Sequence, residues 1–476
     1  RIHSSALLFG KYGIVDFKLG IARQSERGIS TYRKGPSAYM NINGDDDGYR
    51  SMNYQAQIGL QLDENWRAEF AGSFTDTDEE YDGGDYVEAT YAPIDVDDIY
   101  IRRTAGHAKI IGAELLDGLL DVQVTYAKSR SDRIYEDIGK KAWFASVYRY
   151  KGDMDLVNAQ AKITLNDRNA ITIGADYQED HVRGWMIGQR KYKGWDETTY
   201  TTGYYVAYQT EPIDNLFFNA NLRLNDHSDF AHEWTGDVSA SYLVEPTRTT
   251  FKSAIGKGYR APNPYELMPL ANSAWYWRGN PDLEPETALT WSVGVNQQIV
   301  ADVLDAEVTY FQNQVEDFID GYGGYDEDTF FSYPTNVDKL KIRGIEAAIN
   351  AYPFKELSLK LAYTWQHVRD TETGAKHLAF IPDHKISFDA NYNPITPLIL
   401  NLGGVFVGSR YNAGLSSKMD NYCLLHSTVT WKFSDNLKAY VRVDNLLNEN
   451  YTTYDSFGVI YNTYGRTYYA GLSYSF

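Results

Sequence analysis

The sequence has few of the features that mark soluble enzymes or helical membrane proteins. It contains a single cysteine, Cys423, so no internal disulfide can form, and neither a metal site nor a catalytic thiol is indicated. No apolar run approaches the roughly 18 residues that a transmembrane helix needs. Lys and Arg number 45 against 64 Asp and Glu, and this net charge of −19 argues against nucleic acid as a partner.

Two further absences concern domain organisation. No linker rich in Pro, Gly or Ser and no shift in composition divides the 476 residues, so we expect a single domain over residues 1–476. The chain begins at Arg1 and has no recognisable signal peptide, which is most simply interpreted as a processed or excised piece.

What the sequence does contain is a repeated alternation of apolar and polar residues. In the last segment the apolar positions of one strand face are Tyr468, Ala470, Leu472, Tyr474 and Phe476. The same period of two recurs in the segments 238–242, 304–311, 357–366 and 437–444. Successive residues of a strand point to opposite faces, so each segment has one apolar face and one polar face. Charged residues on the second face fit a wet lumen better than a dry core.

The connections between these segments alternate in length. Short polar turns are expected at 10–13, 63–65, 116–118, 166–169, 213–215, 245–248, 353–356, 393–397 and 434–436. Longer segments fall between them, near 25–47, 77–100, 131–152, 183–198, 259–285, 315–338, 370–382, 409–420 and 447–464. This alternation is typical of an all-β, transmembrane antiparallel β-barrel with periplasmic short turns. A large soluble all-β protein is the alternative, but it has no reason to segregate its loops in this way.

Strand number and direction indicate an incomplete barrel. We count about 21 strands, and the first and last both run towards the periplasm. Because two such strands cannot pair antiparallel, at least one strand is expected upstream of Arg1, giving about 22 in the parent protein. A barrel of that width normally holds a plug, which is then expected before the missing strand. The domain at 1–476 is therefore predicted to lack its first strand and its plug.

Three segments resemble the TonB-dependent outer-membrane receptors. The first is Gly258-Tyr-Arg-Ala-Pro-Asn-Pro-Tyr-Glu-Leu267 followed by Gly279-Asn-Pro-Asp-Leu-Glu-Pro-Glu286. The second contains Lys341-Ile-Arg-Gly-Ile-Glu346, and the third is Val443-Asp-Asn-Leu-Leu-Asn-Glu-Asn-Tyr451. The prolines of the first segment indicate that it mainly shapes a long outer loop.

This resemblance implies active import of a scarce metal chelate, most often a ferric siderophore or cobalamin, across the outer membrane of a Gram-negative bacterium. The implied partners are the TonB–ExbB–ExbD complex, the plug of the same protein, lipopolysaccharide and the chelate. It implies no enzymatic activity and no resident cofactor, and we identify no catalytic residues. A passive porin is the alternative, disfavoured because an unplugged barrel of this width leaks. A haem receptor is another, although the interval from Asn263 to Gly279 has no His to ligate iron.

Two groups of residues are candidates for ligand contact. The aromatic run Trp275, Tyr276 and Trp277 is either a stacking platform or part of loop packing. Arg183 and Arg190 belong to a basic cluster that either attracts an anionic chelate or faces lipopolysaccharide or solvent.

The early outer loops are acidic and resemble the calcium-binding loops of the cobalamin-receptor branch of this family. The residues in matching places are Asp45, Asp47, Tyr81, Asp82 and Asp98. Calcium prefers six to eight oxygen ligands, and clustered carboxylates repel one another unless a cation lies among them. The resemblance therefore implies a calcium site here, and a solvated acidic loop is the alternative.

Overall fold

The computed structural model describes residues 1–30, 32–34, 46–81, 97–137, 146–187, 194–267, 278–326, 331–371, 374, 378–412, 415, 417–456 and 459–475. The strands are β1 (Ile2–Tyr12), β2 (Val15–Glu26), β3 (Tyr32–Lys34), β4 (Tyr49–Gln61), β5 (Trp66–Tyr81), β6 (Asp97–Glu114), β7 (Leu120–Asp137), β8 (Ser146–Asn166), β9 (Asn169–Ile187), β10 (Trp195–Ile213), β11 (Leu216–His227), β12 (Glu233–Val244), β13 (Thr249–Arg260), β14 (Glu286–Val300), β15 (Leu304–Asp326), β16 (Phe331–Phe354), β17 (Leu357–Asp370), β18 (His384–Ile395), β19 (Leu398–Val407), β20 (Arg410–Tyr411), β21 (Lys418–Met419), β22 (Tyr422–Lys432), β23 (Leu437–Asp444), β24 (Asp455–Ser456), β25 (Val459–Tyr461) and β26 (Thr467–Tyr474).

Three short helical segments accompany the strands. They are α1 (Leu115–Gly118), a 3-10 turn at Glu245–Thr247, and α2 (Pro264–Leu267). Within the residues that the structure describes, no helix has the length and apolar character needed to span a membrane.

Twenty-one of the strands form one antiparallel sheet, and each of them pairs with the next of that set along the chain. The remaining strands form two small sheets outside it, β20 with β21 and β25 between β3 and β24. This arrangement confirms the predicted all-β antiparallel barrel and its strand number. Because neighbours are antiparallel and the number of strands is odd, β1 and β26 run in the same direction.

The two faces of the sheet differ as the alternation predicts. On β4 and β5, Tyr54 lies opposite Phe74 and Ile58 opposite Phe70, and all four side chains are exposed on the outward face. The positions between them carry polar side chains such as Gln55 and point into the lumen. The outward face is thus apolar and suited to lipid, and the inward face is polar.

The ends of several strands differ from the prediction. Four expected outer loops, near 77–100, 131–152, 183–198 and 315–338, contain strand residues, because β5, β7, β9 and β15 run on to Tyr81, Asp137, Ile187 and Asp326. These strand ends lie beyond the membrane, where both faces meet water. Polar side chains on both faces therefore do not interrupt the backbone ladder, and a composition typical of loops occurs in strands.

Two connections were absent from the prediction. The turn at 301–303 joins β14 to β15, and its Asp302 has a φ of 58°, a left-handed conformation that Asp adopts more readily than most residues. The loop at 228–232 joins β11 to β12 on the outer side and has five residues. An outer loop this short does not follow the alternation of short turns and long loops that guided the prediction.

The first and last outer loops meet at the outer end of the barrel. β25 pairs with β3, so that Ile460 lies opposite Arg33. Asn462 Nδ2 donates to the carbonyl oxygen of Ser30 at 2.8 Å, and Tyr464 Oη donates to Glu26 Oε1 at 2.7 Å. These contacts join segments at opposite ends of the chain and bring the two edges of the sheet together.

Candidate functional site

Six consecutive strands, β5 to β10, are longer than a membrane crossing requires, and we call them the tall wall. They have 16 to 21 residues each, whereas a tilted transmembrane strand needs about 9–11. Val124 and Tyr126 of β7 are exposed apolar residues and define its outward face. Arg133 and Tyr135 are an odd number of positions further along, so they lie on the inward face above the membrane.

Arg133 and Tyr135 are part of an aromatic cluster in the upper lumen. Arg133 Nη1 donates to Tyr135 Oη at 3.0 Å, and its guanidinium carbon is 5.8 Å from the centroid of that ring. The Tyr135 ring meets the ring of Tyr150 on β8 edge to face, with centroids 6.0 Å apart and an interplanar angle of 86°. Edge-to-face packing and the adjacent cation hold these side chains in place.

A fourth member of the cluster comes from a part of the wall that does not neighbour β7 or β8. Tyr265 lies on α2, in the segment after β13, and its ring centroid is 6.4 Å from that of Tyr150 with an interplanar angle of 77°. In the sheet β13 is five strands away from β8. The contact therefore joins separate parts of the wall within the upper lumen, and we call Arg133, Tyr135, Tyr150 and Tyr265 the cross-lumen cluster.

Tyr265 is positioned by a capping box at the start of α2. The backbone N–H of Glu266 donates to Asn263 Oδ1 at 3.0 Å, and the N–H of Asn263 donates back to Glu266 Oε2 at 2.9 Å. Pro264 follows the capping residue, where its fixed φ favours a helical turn. The sequence Asn263-Pro-Tyr-Glu266 therefore specifies the turn that carries Tyr265 into the lumen.

Arg260 fastens this turn to the barrel wall. Its Nε and Nη2 donate to the two carboxylate oxygens of Glu286 at 2.6 and 3.0 Å, and its Nη1 donates to Glu266 Oε2 at 3.1 Å. The hydrogen bonds with Glu286 hold the pKa of Arg260 above its ordinary value, so the guanidinium stays charged. Glu286 Oε1 also accepts a hydrogen bond from the backbone N–H of Ile319 at 2.6 Å. The structure thus agrees with an architectural role for this motif.

A small buried core supports the same region, and we call it the outer platform. Five of the most buried apolar residues of the described chain lie in it, namely Leu283, Ile319, Pro334, Leu340 and Val368. Asn336 Nδ2 ties its segments together by donating to the carbonyl oxygens of Glu284 at 2.9 Å and Asp317 at 2.7 Å. Interior packing of this kind restricts motion, so Tyr265 is presented from a rigid base.

The candidate ligand residues named from the sequence do not join the cross-lumen cluster in the described part of the chain. Trp275, Tyr276, Trp277 and Arg190 lie outside the described residues. Arg183 is described, and it shares the outward face of β9 with Tyr177, six positions earlier. Its Nη2 donates to Asp153 Oδ2 at 2.7 Å. Arg183 therefore faces away from the lumen, as the alternative of a patch facing lipopolysaccharide or solvent requires, and its contact with a ligand stays a prediction.

The candidate calcium residues are separated in a similar way. Asp45 and Asp82 lie outside the described residues, and Tyr81 is the last residue of β5. The Asp47 carbonyl packs against Gly28, whose φ is 76° and where an added Cβ would lie 1.6 Å from that oxygen. Asp98 is on β6, where burial and the nearby Glu80 and Asp78 raise its pKa. Within the described ranges, no three acidic, His or Cys side chains converge as a metal site requires.

Sequence reasoning missed the cross-lumen cluster because its members come from three distant segments. Nothing local in Tyr135 or Tyr150 distinguishes them from the other tyrosines among the 40 in the chain. The sequence signal that could have identified Tyr135 is its position in the strand. It is nine residues beyond the outward-facing Tyr126 and therefore lies on the inward face.

A model of the family described as TonB dependent receptor-like, beta-barrel, matches residues 7–446. The chain belongs to this family. Its members are outer-membrane receptors, and the family motifs of the sequence form the Arg260 contacts and the outer platform described above.

Individual relatives are distant in sequence but similar in fold. The vitamin B12 transporter BtuB of Photobacterium profundum is 23% identical over 463 residues, which cover 96% of this chain and 69% of the transporter. The probable TonB-dependent siderophore receptor PirA of Acinetobacter baumannii is 26% identical over 324 residues, covering 57% of this chain and 42% of that receptor. A variant of the ferric enterobactin receptor PfeA of Pseudomonas aeruginosa has a TM-score of 0.80 at 18% identity, covering 100% of this chain and 77% of PfeA.

Proposed function

We propose that this chain is the barrel of a TonB-dependent transporter that imports a scarce metal chelate, either a ferric siderophore or cobalamin, across the outer membrane. Family membership supports transport of this type, and the relatives with named ligands are a vitamin B12 transporter and a ferric enterobactin receptor. The proposal assigns no enzymatic activity to the chain.

The cross-lumen cluster is the observation that carries the proposal. Three tyrosine rings and one guanidinium converge in the upper lumen, and they are contributed by β7, β8 and the segment after β13. Rigid aromatic faces bind planar or apolar groups, and the guanidinium favours negative charge. This chemistry suits a large chelate with aromatic groups and anionic oxygens, and ferric siderophores are therefore the preferred class.

The alternatives fit this site less well. A haem receptor needs an iron ligand such as imidazole, and the four residues of the cross-lumen cluster include no His. A passive porin is disfavoured because an unplugged barrel of this width leaks.

The proposal includes a plug and an energy source that act on this barrel. Polar side chains on the inner wall pair with one another, for example Arg67 with both oxygens of Asp16 at 2.6 and 2.9 Å. Such a wall suits a folded polar plug in the lumen. We place one further strand between β1 and β26, since these two run in the same direction. We assign the pulling force to TonB with ExbB and ExbD.

Growth rescue tests the proposal directly. Receptor-null Gram-negative cells that carry the full-length protein are grown on nanomolar ferric enterobactin as the iron source or nanomolar cobalamin as the vitamin source. We expect rescue by one of these ligands in cells with TonB and none in isogenic cells without TonB. Equal rescue in both strains would exclude active transport.

We also propose that the early outer loops bind calcium. Support comes from the surroundings of Asp98, where burial and then the nearby Glu80 and Asp78 raise its pKa. The full-length protein should bind calcium in the micromolar to millimolar range. Calorimetry compares the wild type with an Asp45→Asn/Asp47→Asn/Asp82→Asn variant. Equal heats from the two proteins, or no heat from the wild type, would refute the calcium site. The proposal of active transport would not be affected.

A further inference from the structure

A pocket lies in the inner wall of the barrel, below the cross-lumen cluster. Its volume is about 340 Å³, and its lining comes from β2 and from β4 to β8. β7 runs outwards from Leu120, and Ser129 of the pocket precedes Arg133 of the cluster by four residues of this strand. At about 3.3 Å per residue, the pocket therefore lies roughly 13 Å below the cluster, and we call it the wall pocket.

The register of the strands explains the shape of the wall pocket. Two rows of directly opposed inward-facing residues cross it, one through Gln55, Ser73, Ala105, Ser129 and Met154, the other through Lys18, Gln57, Ala71, His107 and Ala127. Alanine and serine occupy most positions on the middle strands β5 to β7, whereas longer side chains stand on β2, β4 and β8. Short side chains between long ones leave a depression in the wall.

The lining of the wall pocket is cationic and includes no carboxylate. Lys18 is exposed on the inner face and lies opposite Phe9 and Gln57, neither of which is charged. Its ammonium group makes no hydrogen bond or ion pair with any other residue that the structure describes. Ser73 and Ser129 add hydroxyl donors to the same pocket.

Carboxylates beside the wall pocket already have donors of their own. Both oxygens of Asp16 accept from Arg67, at 2.6 and 2.9 Å. Glu69 Oε1 accepts from His107 Nε2 at 3.0 Å. On the β9 side, Asp180 Oδ2 accepts from a glutamine amide at 2.6 Å. Lys18 is therefore the charged group of the pocket that is available to a ligand.

A second available cation lies between the wall pocket and the cross-lumen cluster. Arg103 of β6 is exposed and faces inwards, opposite Thr75 and Ser131. Within the described ranges its guanidinium, like the Lys18 ammonium, has no hydrogen-bond or ion-pair partner. Arg133, Arg103 and Lys18 thus follow one another down the same side of the lumen, and successive cations favour the passage of an anion.

We propose that the wall pocket is a second binding site for the imported chelate and takes one anionic arm of a ferric siderophore after it leaves the cross-lumen cluster. This inference rests on the proposed import function. Lys18 contacts the anionic oxygens of the arm, and Arg103 contacts them on the way from Arg133. A pocket of about 340 Å³ is at the lower end of small-molecule sites, so it admits one arm and not a whole chelate.

Transport by the full-length protein tests the wall pocket. The Kd of ferric enterobactin is measured on cells without TonB, and the initial uptake rate at saturating ferric enterobactin on cells with TonB. The test variant is Lys18→Gln, and Lys18→Arg keeps the charge. The matched control is Lys360→Gln, which neutralises an inward-facing lysine of β17 that lies opposite Asp389.

We expect Lys18→Gln to lower the uptake rate about tenfold and to leave Kd unchanged, because the lost contact follows the first binding step. Lys18→Arg should restore most of the rate, and Lys360→Gln should transport as the wild type does. An unchanged rate for Lys18→Gln, or an equal loss in the control, would overturn the proposal. Import of cobalamin but not of ferric enterobactin by the wild type would also overturn it, while the import function would stand.

Photo-cross-linking separates the chelate from the plug as the occupant of the wall pocket. p-Benzoylphenylalanine is introduced at Ala105 in the pocket or at Val405 on the inner face of β19. Cells with TonB are irradiated during uptake of ferric enterobactin, and mass spectrometry identifies the adducts. We expect chelate adducts at position 105 and none at position 405. Adducts at position 105 with the plug alone, or equal chelate adducts at both positions, would overturn the proposal.

Discussion

The two sides of the barrel differ in height, and this difference separates their roles. The tall wall has strands of 16 to 21 residues, whereas β18, β19, β22, β23 and β26, which we call the short wall, have 8 to 12. The short wall ends near the membrane surface, since about 9–11 residues cross it. The tall wall continues outwards, and its extra length carries Arg133, Tyr135 and Tyr150 of the cross-lumen cluster on the inner face.

The short wall is completed by loops instead of strands. Its outer connections form the small sheets of β20 with β21 and of β25 with β3 and β24. Aromatic stacking holds these loops together, with the Tyr454 ring 4.9 Å from that of Phe380 and 4.3 Å from that of Tyr461. Arg410 is almost fully buried beside them, and burial lowers the pKa of its guanidinium. The comparison supports our proposal that ligand contacts the tall wall, while the loops of the short wall join the sheet edges.

The largest expected effect concerns the outer platform. Leu340 is 1% exposed within it, whereas Leu402 of the short wall is 42% exposed on the apolar face. Leu340→Ala in the full-length protein should lower the free energy of unfolding by about 2–5 kcal/mol, because it opens a cavity in a packed core. Leu402→Ala is the matched control. It should lower the free energy of unfolding much less, because lipid fills the space that the smaller side chain leaves. Denaturant unfolding in detergent measures both free energies of unfolding. Equal losses in the two variants would contradict the presence of a packed core at the outer platform.

A smaller effect is expected at low pH and concerns an ion pair of the tall wall. The Arg149 hydrogen bonds hold the pKa of Asp132 below its ordinary value of 3.8, and Asp132 lies beyond the membrane. The pair therefore stabilises the wall fully above pH 3.8 and loses that contribution as pH falls through the lowered pKa. Asp132→Asn should lower the free energy of unfolding by about 1–2 kcal/mol at pH 7. At lower pH the free energies of unfolding of the wild type and the variant should converge. A difference that stays constant down to pH 2 would contradict this account.

The smallest effect is expected at high pH and concerns a contact of the short wall. Burial, and then the hydrogen bond to Glu26, raise the pKa of Tyr464, which joins the last outer loop to β2. A raised pKa means that the contact is fully stabilising below the ordinary value of 10.0 and weakens as pH rises above it. Tyr464→Phe should lower the stability of this contact by about 1 kcal/mol at neutral pH. Its difference from the wild type should shrink above pH 10, and hydrogen exchange in β25 is a suitable measurement.

The architecture was predictable because it depends on local patterns. Alternation such as that of Tyr468, Ala470 and Leu472 fixes the faces of a strand, and polar turns fix its periplasmic end. The outer ends were not predictable in the same way. Residues such as Asp132 and Asp153 have a loop-like composition, yet they continue the ladder of β7 and β8 because water surrounds both faces.

The site was less predictable because it depends on contacts across the barrel. Counting positions from Tyr177 identifies Arg183 as outward-facing, so its orientation was available from alternation alone. The meeting of Tyr150 with Tyr265 was not available, since it depends on how the turn at Asn263 is fastened by Arg260 and how far β8 extends beyond the membrane.

Equilibrium binding to the full-length protein tests the central claim, that ligand is bound by the cross-lumen cluster on the tall wall. The probes are ferric enterobactin and cobalamin, and the variants are Tyr150→Ala and Tyr440→Ala, the latter a lumen-facing tyrosine of the short wall. For the probe that the wild type binds, Tyr150→Ala should raise Kd about tenfold, since it removes aromatic contact and loosens Arg133 and Tyr135. Tyr440→Ala should leave Kd unchanged. An unchanged Kd for Tyr150→Ala, or equal losses in both variants, would contradict the account.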